Sequence, residues 1–336
     1  MASDKRPGSS VTSFDVARLA GVSRSAVSRA FTPGASISQD ARQKVIDAAN
    51  ELGYRVNPVA RALNQRRTDL VGMIVARMDN PYRASQIDAL SKTLVRNDFR
   101  PMLFCIDEGH GTEQLLSMLL DYSVSGVVIT SDAPPAEICN ECAHLQVPLV
   151  LVDRDDRLPQ VDRISGNNAK GGRLAAETLI DAGRRKLLVL QPETAVYSIT
   201  TRIEAFLAAA AEFGADVEIL PVGTHNYEAG RQAAPAVAAR RQDGIGIFCP
   251  TDIVALGLLD ALRVGYGVEI PREMSLIGYD DIPQSGWEFA NLTTIRQPVD
   301  TFVDVIVEML KSRIAEPDAA QREELVDVML VRRGTV

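Results

Sequence analysis

Arg24, Ser25 and Arg29, with Ser23 just ahead of them, are the residues whose types and spacing most directly imply a chemistry. A guanidinium offers paired donors to guanine O6 and N7 in the major groove, and a hydroxyl can serve several bases. Ser23, at the start of the same short segment, suits a phosphate oxygen at a helix N-terminus. Other chemistries find less support. Cys139 and Cys142 form a single CxxC with no second pair, and NECAH reads as the end of a helix. Cys105 and Cys249 lie in apolar runs and read as core, while His110 and His144 read as surface. The chain shows no nucleophile–base set, phosphate loop or metal cluster, so neither catalysis nor a cofactor is expected.

The elements that must position those arginines can be read from residues 12–53. Thr12 is an N-cap, with Asp15 placed as in a capping box. The first helix runs to Ala20 on Val16, Ala17 and Leu19/Ala20, and Gly21 permits a left-handed turn. Ser23 caps a second helix, Arg24 to Ala30, whose inward side is Val27 and Phe31 with Val22 before them. Ser38 opens a third helix that buries Val45, Ile46 and Ala49 and ends at Leu52-Gly53. This is a helix-turn-helix pattern, whose second helix enters the major groove. Residues 1–67 carry 11 Lys/Arg against five Asp/Glu, a net of +6, within a chain of net −8, so a basic head precedes an acidic body.

Residues 12–63 resemble the headpiece of the lactose-repressor (LacI/GalR) family of bacterial transcription regulators. Thr12, Asp15-Val16-Ala17, Ala20-Gly21-Val22-Ser23, Val27-Ser28-Arg29, Leu52-Gly53-Tyr54, Asn57 and Leu63 carry the resemblance. It implies that Thr12, Ser23, Arg24, Ser25, Ser28 and Arg29 meet DNA. It also implies a hinge helix from Asn57 to Leu63, too short to be stable alone in water, that forms when two copies pair on DNA. There Leu63 would wedge into the minor groove, and Arg61, Arg66 and Arg67 could hold phosphates. A basic tether is the plainer alternative.

From Leu70 the pattern changes to strands alternating with helices. LVGMIVARM, RPMLFCI, SGVVIT and PLVLVD alternate with helices over 84–97, 111–122 and 136–144. RISGNN, KLLVLQP, VEILPVG, GIGIFCP and MSLIGYDD alternate with helices over 169–182, 201–213, 227–240 and 253–264. Continuous apolar runs and this alternation predict parallel sheets with crossover helices. The segments NPY (80–82), PLV (148–150), Thr251-Asp252, GYDD (278–281), LTTI (292–295) and VRRGT resemble the same family's body. The expected fold class is an all-α helix-turn-helix headpiece with a hinge helix, then an α/β periplasmic-binding-protein-like body of two parallel-sheet lobes. The expected domains are 1–67 for headpiece and hinge and 68–336 for ligand binding and dimerisation. The first lobe is placed at about 68–162 and 292–324, the second at about 163–291 and 325–336.

Ligands of such folds sit at the carboxyl ends of the strands, in the cleft between lobes. That position selects Tyr82, Arg83, Asp153, Arg202, His225, Thr251 and Asp280, with Asp252 either a contact or a structural helix start. The resemblance implies that Arg202 and Asp280 clamp ligand hydroxyls or ring atoms. The chain departs from the family pattern at Arg83, at Thr251 where asparagine is usual, and at His225 where an aromatic is common. A glycine usual in the helix DTFVDVIVEML is also missing. Two arginines in one cleft favour an anionic ligand such as a sugar acid over a neutral sugar.

The expected function is a homodimeric, ligand-responsive regulator of a near-palindromic DNA operator, a repressor of catabolic genes. An activator, and a solute-binding protein of the same body fold, are the alternatives. With 46% hydrophobic and 24% charged residues, no apolar leader in MASDKRPGSS and four cysteines, a cytoplasmic protein without a membrane partner is expected. No leucine-heptad tail follows Val336, so a tetramer built that way is not expected.

Overall fold

In the computed structural model the chain divides into two units, Met1–Thr68 and Asp69–Val336. Residues 11–32, 34–55, 68–107, 109–130, 133–158, 160–193, 196–241 and 244–336 are described. Asn57, Arg61 and Leu63, with the expected hinge helix, lie outside the described residues.

The first unit holds α1 (Ser13–Ala20), α2 (Arg24–Ala30) and α3 (Gln39–Leu52). Polar side chains start each helix. The Asp15 carboxylate accepts from the Thr12 N–H (3.1 Å) and hydroxyl (2.8 Å), Ser23 Oγ from the Ala26 N–H (3.2 Å), and Ser38 Oγ from the Ala41 N–H (3.3 Å). Gly21 at φ 63° ends α1 in the left-handed region. Val16, Ala17, Val27, Ala30, Val45, Ala48 and Ala49 form the core. Two expected core positions are corrected. Leu19 is exposed and Ile46 is half-buried. At roughly 100° per residue each falls beside its helix's buried stripe rather than on it.

The second unit contains two six-stranded sheets. The first lobe's elements are β1 (Leu70–Val75), α4 (Pro81–Arg96), β2 (Arg100–Cys105), α5 (Thr112–Asp121), β3 (Gly126–Ile129), α6 (Ala136–His144), β4 (Leu149–Val152) and β5 (Val161–Gly166). The second lobe follows with α7 (Asn168–Asp181), β6 (Lys186–Pro192), α8 (Tyr197–Glu212), β7 (Asp216–Val222), α9 (Tyr227–Ala238), β8 (Gly246–Phe248), α10 (Asp252–Asp260), β9 (Ser275–Asp280) and β10 (Thr293–Arg296). The chain returns through α11 (Val299–Ala315) and β11 (Glu323–Val326), then ends on β12 (Met329–Val331). The strand orders are β11-β5-β4-β3-β1-β2 and β12-β10-β9-β8-β6-β7. Every pair is parallel except β10 with β12. The central strands are buried on both faces, which explains their unbroken apolar runs.

Strand pairing moves the lobe boundaries from those expected at 162, 292 and 324. β5 pairs with β4 through Val152↔Ile164 and stays in the first sheet to Gly166. β10 pairs with β9, so LTTI belongs to the second lobe and the return falls at Gln297-Pro298. β11 stays in the first sheet through Val326, which puts the last passage at Asp327-Val328. Short apolar strands look alike whichever sheet their backbone joins. Cys105 is likewise corrected from core to exposed, because β2 is an edge strand.

Helices α9 and α10 meet backbone to backbone at Gly230 and Gly257. A Cβ on Gly257 would collide with the Tyr227 carbonyl, and one on Gly230 with the Val254 carbonyl. A backbone cannot swing aside like a side chain, so Gly257→Ala forces the helices apart. It is expected to cost at least about 1–3 kcal/mol, read as a lower urea midpoint; an unchanged midpoint would contradict this packing.

Candidate functional site

On the headpiece, Thr12, Ser23, Arg24, Ser25, Ser28 and Arg29 are all exposed, on or just before α1 and α2. Ser23 Oγ lies 2.8 Å from Ser25 Oγ, and Arg29 Nε donates to the Ser25 carbonyl at 3.2 Å. Thus Arg29 is braced along its own helix. Arg42, not singled out from the sequence, is structural. It donates to the Ala30 carbonyl (2.7 Å) and the Ala35 carbonyl (3.2 Å), closing the end of α2.

In the body, Tyr82, Arg83, Asp153, Arg202, His225, Thr251 and Asp280 line one cavity of about 270 Å³ between the lobes. The first lobe brings Tyr82 and Arg83 on the first turn of α4, started by Asn80, whose Oδ1 accepts from their N–H groups (2.9 and 3.3 Å). It also brings Asp153, just past β4. The second lobe brings Arg202 on α8, His225 before α9, Thr251 before α10 and Asp280 at the end of β9. Arg202 lies one turn inside its helix rather than at its start. Sequence reasoning passed over Arg77, Asn80, Thr130, Arg154 and Ser198, which also line the cavity. The same strand-end rule reaches Arg77, two residues past β1, and Thr130, which directly follows β3.

Two buried ion pairs dominate the walls. Arg202 donates through Nε to Asn168 Oδ1 (2.8 Å) and through Nη1 to the Pro250 carbonyl (2.8 Å) and Asp280 Oδ1 (3.3 Å). Its guanidinium carbon stands 3.6 Å above the Tyr279 ring, a cation–π contact. Asp280 also accepts from Gln297 Nε2 at 2.8 Å. Arg83 Nη1 lies 3.0 Å from Asp153 Oδ2 and donates to Gln86 Oε1 at 2.9 Å. The Arg83–Asp153 contact has the distance of an ion pair but not the direction of a hydrogen bond, so both Asp153 oxygens lack a donor among the described residues.

That orphaning is shared around the cavity. Tyr82 Oη, Thr251 Oγ1 and both His225 ring nitrogens, all on its lining, are buried without a hydrogen-bond partner among the described residues, as are Asn168 Nδ2 and Gln297 Oε1 on the residues that hold Arg202 and Asp280. Such groups cost about 1–3 kcal/mol each when unmet. The backbone adds strain at the same place, with Asp153 at φ 56° and Asp280 at φ 122°. Asp252, by contrast, is structural. Its carboxylate accepts from Thr294 Oγ1 (2.6 Å), Ser285 Oγ (2.7 Å) and the Ile282 N–H (3.0 Å).

Burial pushes the Asp280 carboxyl up to about 7, with Arg202 pulling it back. Burial and the charge of Arg77 push His225 down to about 4, so its imidazole is neutral at pH 7. An unfolded-chain aspartate releases its proton near pH ~3.9. Between there and pH 7 the folded body holds the Asp280 proton longer than the unfolded chain, so this group's contribution to stability falls as pH rises. His225 has the opposite sign, with stability lost as pH falls from ~6.5 toward 4. Asp280→Asn is therefore expected to improve relative to the parent as pH goes from 4 to 7. Urea titrations at both pH values check this, and an unchanging difference would remove the burial argument.

Cys139 and Cys142 are buried, and burial raises their thiols to about 11 and about 12, which leaves them inert. No described helix is long and apolar enough to cross a membrane.

The comparisons with known proteins match both units. Residues 14–57 match the model for bacterial regulatory proteins of the lacI family, and residues 176–336 match a periplasmic binding protein-like domain. The HTH-type transcriptional repressor PurR of Vibrio vulnificus is 30% identical over 327 residues, 96% of this chain and 97% of the relative. The ribose operon repressor of Haemophilus influenzae is 28% identical over 330 residues, 97% and 98% of the two chains. The lac repressor dimer bound to operator and the anti-inducer ONPF superposes with a TM-score of 0.84 at 24% identity, over 97% of this chain and 99% of that one.

Proposed function

The chain belongs to the lacI family of bacterial regulatory proteins and is a sequence-specific DNA-binding repressor with a ligand-binding body; from this we propose that the inter-lobe cavity takes a small sugar acid as effector. The observation that carries the proposal is the set of buried polar atoms lining the cavity, on Tyr82, Asp153, His225 and Thr251, that have no hydrogen-bond partner among the described residues. A ring of hydroxyls can supply donors to Asp153, while Tyr82, Thr251 and neutral His225 can donate or accept. The charge of the effector is argued from Arg83 and Arg202, which the two lobes bring to one cavity and whose guanidiniums suit a carboxylate. Arg202 keeps Nη2 without a protein acceptor among the described residues, its hydrogen bonds running through Nε and Nη1.

The protein acts as a homodimer on a near-palindromic operator controlling catabolic genes. Thr12, Ser23, Arg24, Ser25, Ser28 and Arg29 serve as the reading face, and Asn57, Arg61 and Leu63 as the hinge contacts. Effector changes the arrangement of the lobes and, through it, DNA affinity. This works only to the extent that it binds one arrangement more tightly than the other.

A thermal-shift series of galacturonate and glucuronate against galactose, glucose and ribose tests the effector class. A ligand at 100 times its Kd adds about 2.7 kcal/mol of stability. The acids are expected to stabilise the body and the neutral sugars to do so less. Arg83→Ala removes a donor and leaves Asp153 uncompensated against an anion. It should weaken the acid by about 1.5–3 kcal/mol, roughly tenfold to a hundredfold, and reduce the salt dependence of binding. Neutral sugars binding more tightly than their acids, in line with the Arg83–Asp153 and Arg202–Asp280 pairing, would replace the acid with a neutral polyol.

A further inference from the structure

The cleft does not end at the cavity described above. A second compartment of about 300 Å³ shares Arg77, Asn80 and His225 with it and adds Asp79, Thr224, Asn226 and Ile253. Each compartment alone sits near the lower limit of ligand pockets, while the two together fall well inside the usual range of roughly 300–1,000 Å³. His225 stands where they meet, 7% exposed, with neither ring nitrogen partnered among the described residues. An imidazole buried at a partition with both nitrogens so placed calls for a ligand atom beside it, and a neutral ring offers one donor and one acceptor.

The chemistry of the second compartment distinguishes its occupant. Arg77 and Asp79 bring opposite charges, while Asn80, Thr224 and Asn226 bring uncharged polar groups. Two helix N-termini, those of α4 and α9, open nearby, which alone would favour an anion. Their caps already occupy some of those N–H groups, with Asn80 Oδ1 accepting from Tyr82 and Arg83 and Asn226 Oδ1 accepting from Ala229 at 2.8 Å. A phosphate would also lie against the Asp79 carboxylate. Mixed donors and acceptors of this kind match hydroxyls instead.

We propose that the effector spans both compartments. It is a two-ring saccharide, with one ring between Asp153 and Arg202, the other between Arg77 and Asn226, and His225 bonding at their junction. This rests on the reading of the cleft as an effector site and adds the size of the ligand to it.

Matched probes test it: galacturonate against α-1,4-linked digalacturonate, and glucose against cellobiose, by calorimetric titration of the full chain. In at least one pair the two-ring member is expected to bind tenfold or more tightly than its one-ring partner. Thr224→Trp places a large ring on an exposed rim position of the second compartment only. It should bring the two-ring ligand down to the one-ring affinity and leave the one-ring affinity and the unliganded melting temperature unchanged. One-ring binding with no gain from the second ring, or a gain that survives Thr224→Trp, overturns this proposal and leaves the effector site standing. Failure of all four probes removes the saccharide reading and this proposal together.

Discussion

Replacing Arg202 with alanine is expected to cost the body about 3–5 kcal/mol and to abolish its response to effector. The residue is 3% exposed and holds together Asn168 at the start of α7, the Pro250 carbonyl after β8 and Asp280 at the end of β9. Its removal leaves the buried Asp280 carboxylate with the Gln297 amide as its one side-chain donor among the described residues and uncovers the face of Tyr279. Asp280 then relieves itself by keeping its proton to higher pH. The double variant Arg202→Ala/Asp280→Ala should therefore recover part of the loss, because no uncompensated charge remains. Urea denaturation of the two single variants and the double measures the coupling. A loss below about 1 kcal/mol for Arg202→Ala would contradict a pair buried as deeply as this one.

The second large effect is expected at the head. Arg24→Ala should weaken binding to the inverted-repeat duplex that the parent protein selects from a random pool by about 1–3 kcal/mol, tenfold to a hundredfold, and relax selectivity at one base position per half-site. Arg24 is exposed at the first position of α2, where side chains reach into the major groove. A loss of the same size on a scrambled duplex, with the salt slope reduced by about one, would instead assign Arg24 to a phosphate. Arg29→Ala should weaken operator binding too, but with a further change in helix content, since Arg29 is tied to the Ser25 carbonyl. Anisotropy titrations at two salt concentrations separate these outcomes.

Much of the site was legible because the chemistry lies at strand ends. Asp153, Thr251 and Asp280 follow apolar runs directly, and a parallel sheet delivers its carboxyl ends to one edge. The headpiece was legible for a different reason: caps, turn glycines and helical spacing are local signals, readable within a few residues. The pairing within the cleft was not legible. Arg83 meets Asp153 and Arg202 meets Asp280 across long stretches of chain, and only the fold sets which carboxylate faces which guanidinium. The lobe passages were misplaced for a related cause. β5 and β10 are short, and their apolar residues do not reveal which neighbour their backbones join. Leu19 misled because an eight-residue helix gives its stripe too few points to define a direction.

Tyr82 carries a consequence of another kind. It grows from α4 of the first lobe, yet its ring is 5% exposed inside the apolar cluster of the second lobe, among Leu190, Ala229 and Ile282. Any widening of the cleft must draw that ring into water. An aromatic of this size wets about 150–250 Å², which corresponds to a heat-capacity increment on the order of 0.1 kcal/mol/K. The grip of the ring loosens on cooling, so the resistance that this one contact sets against parting the lobes weakens as the temperature falls.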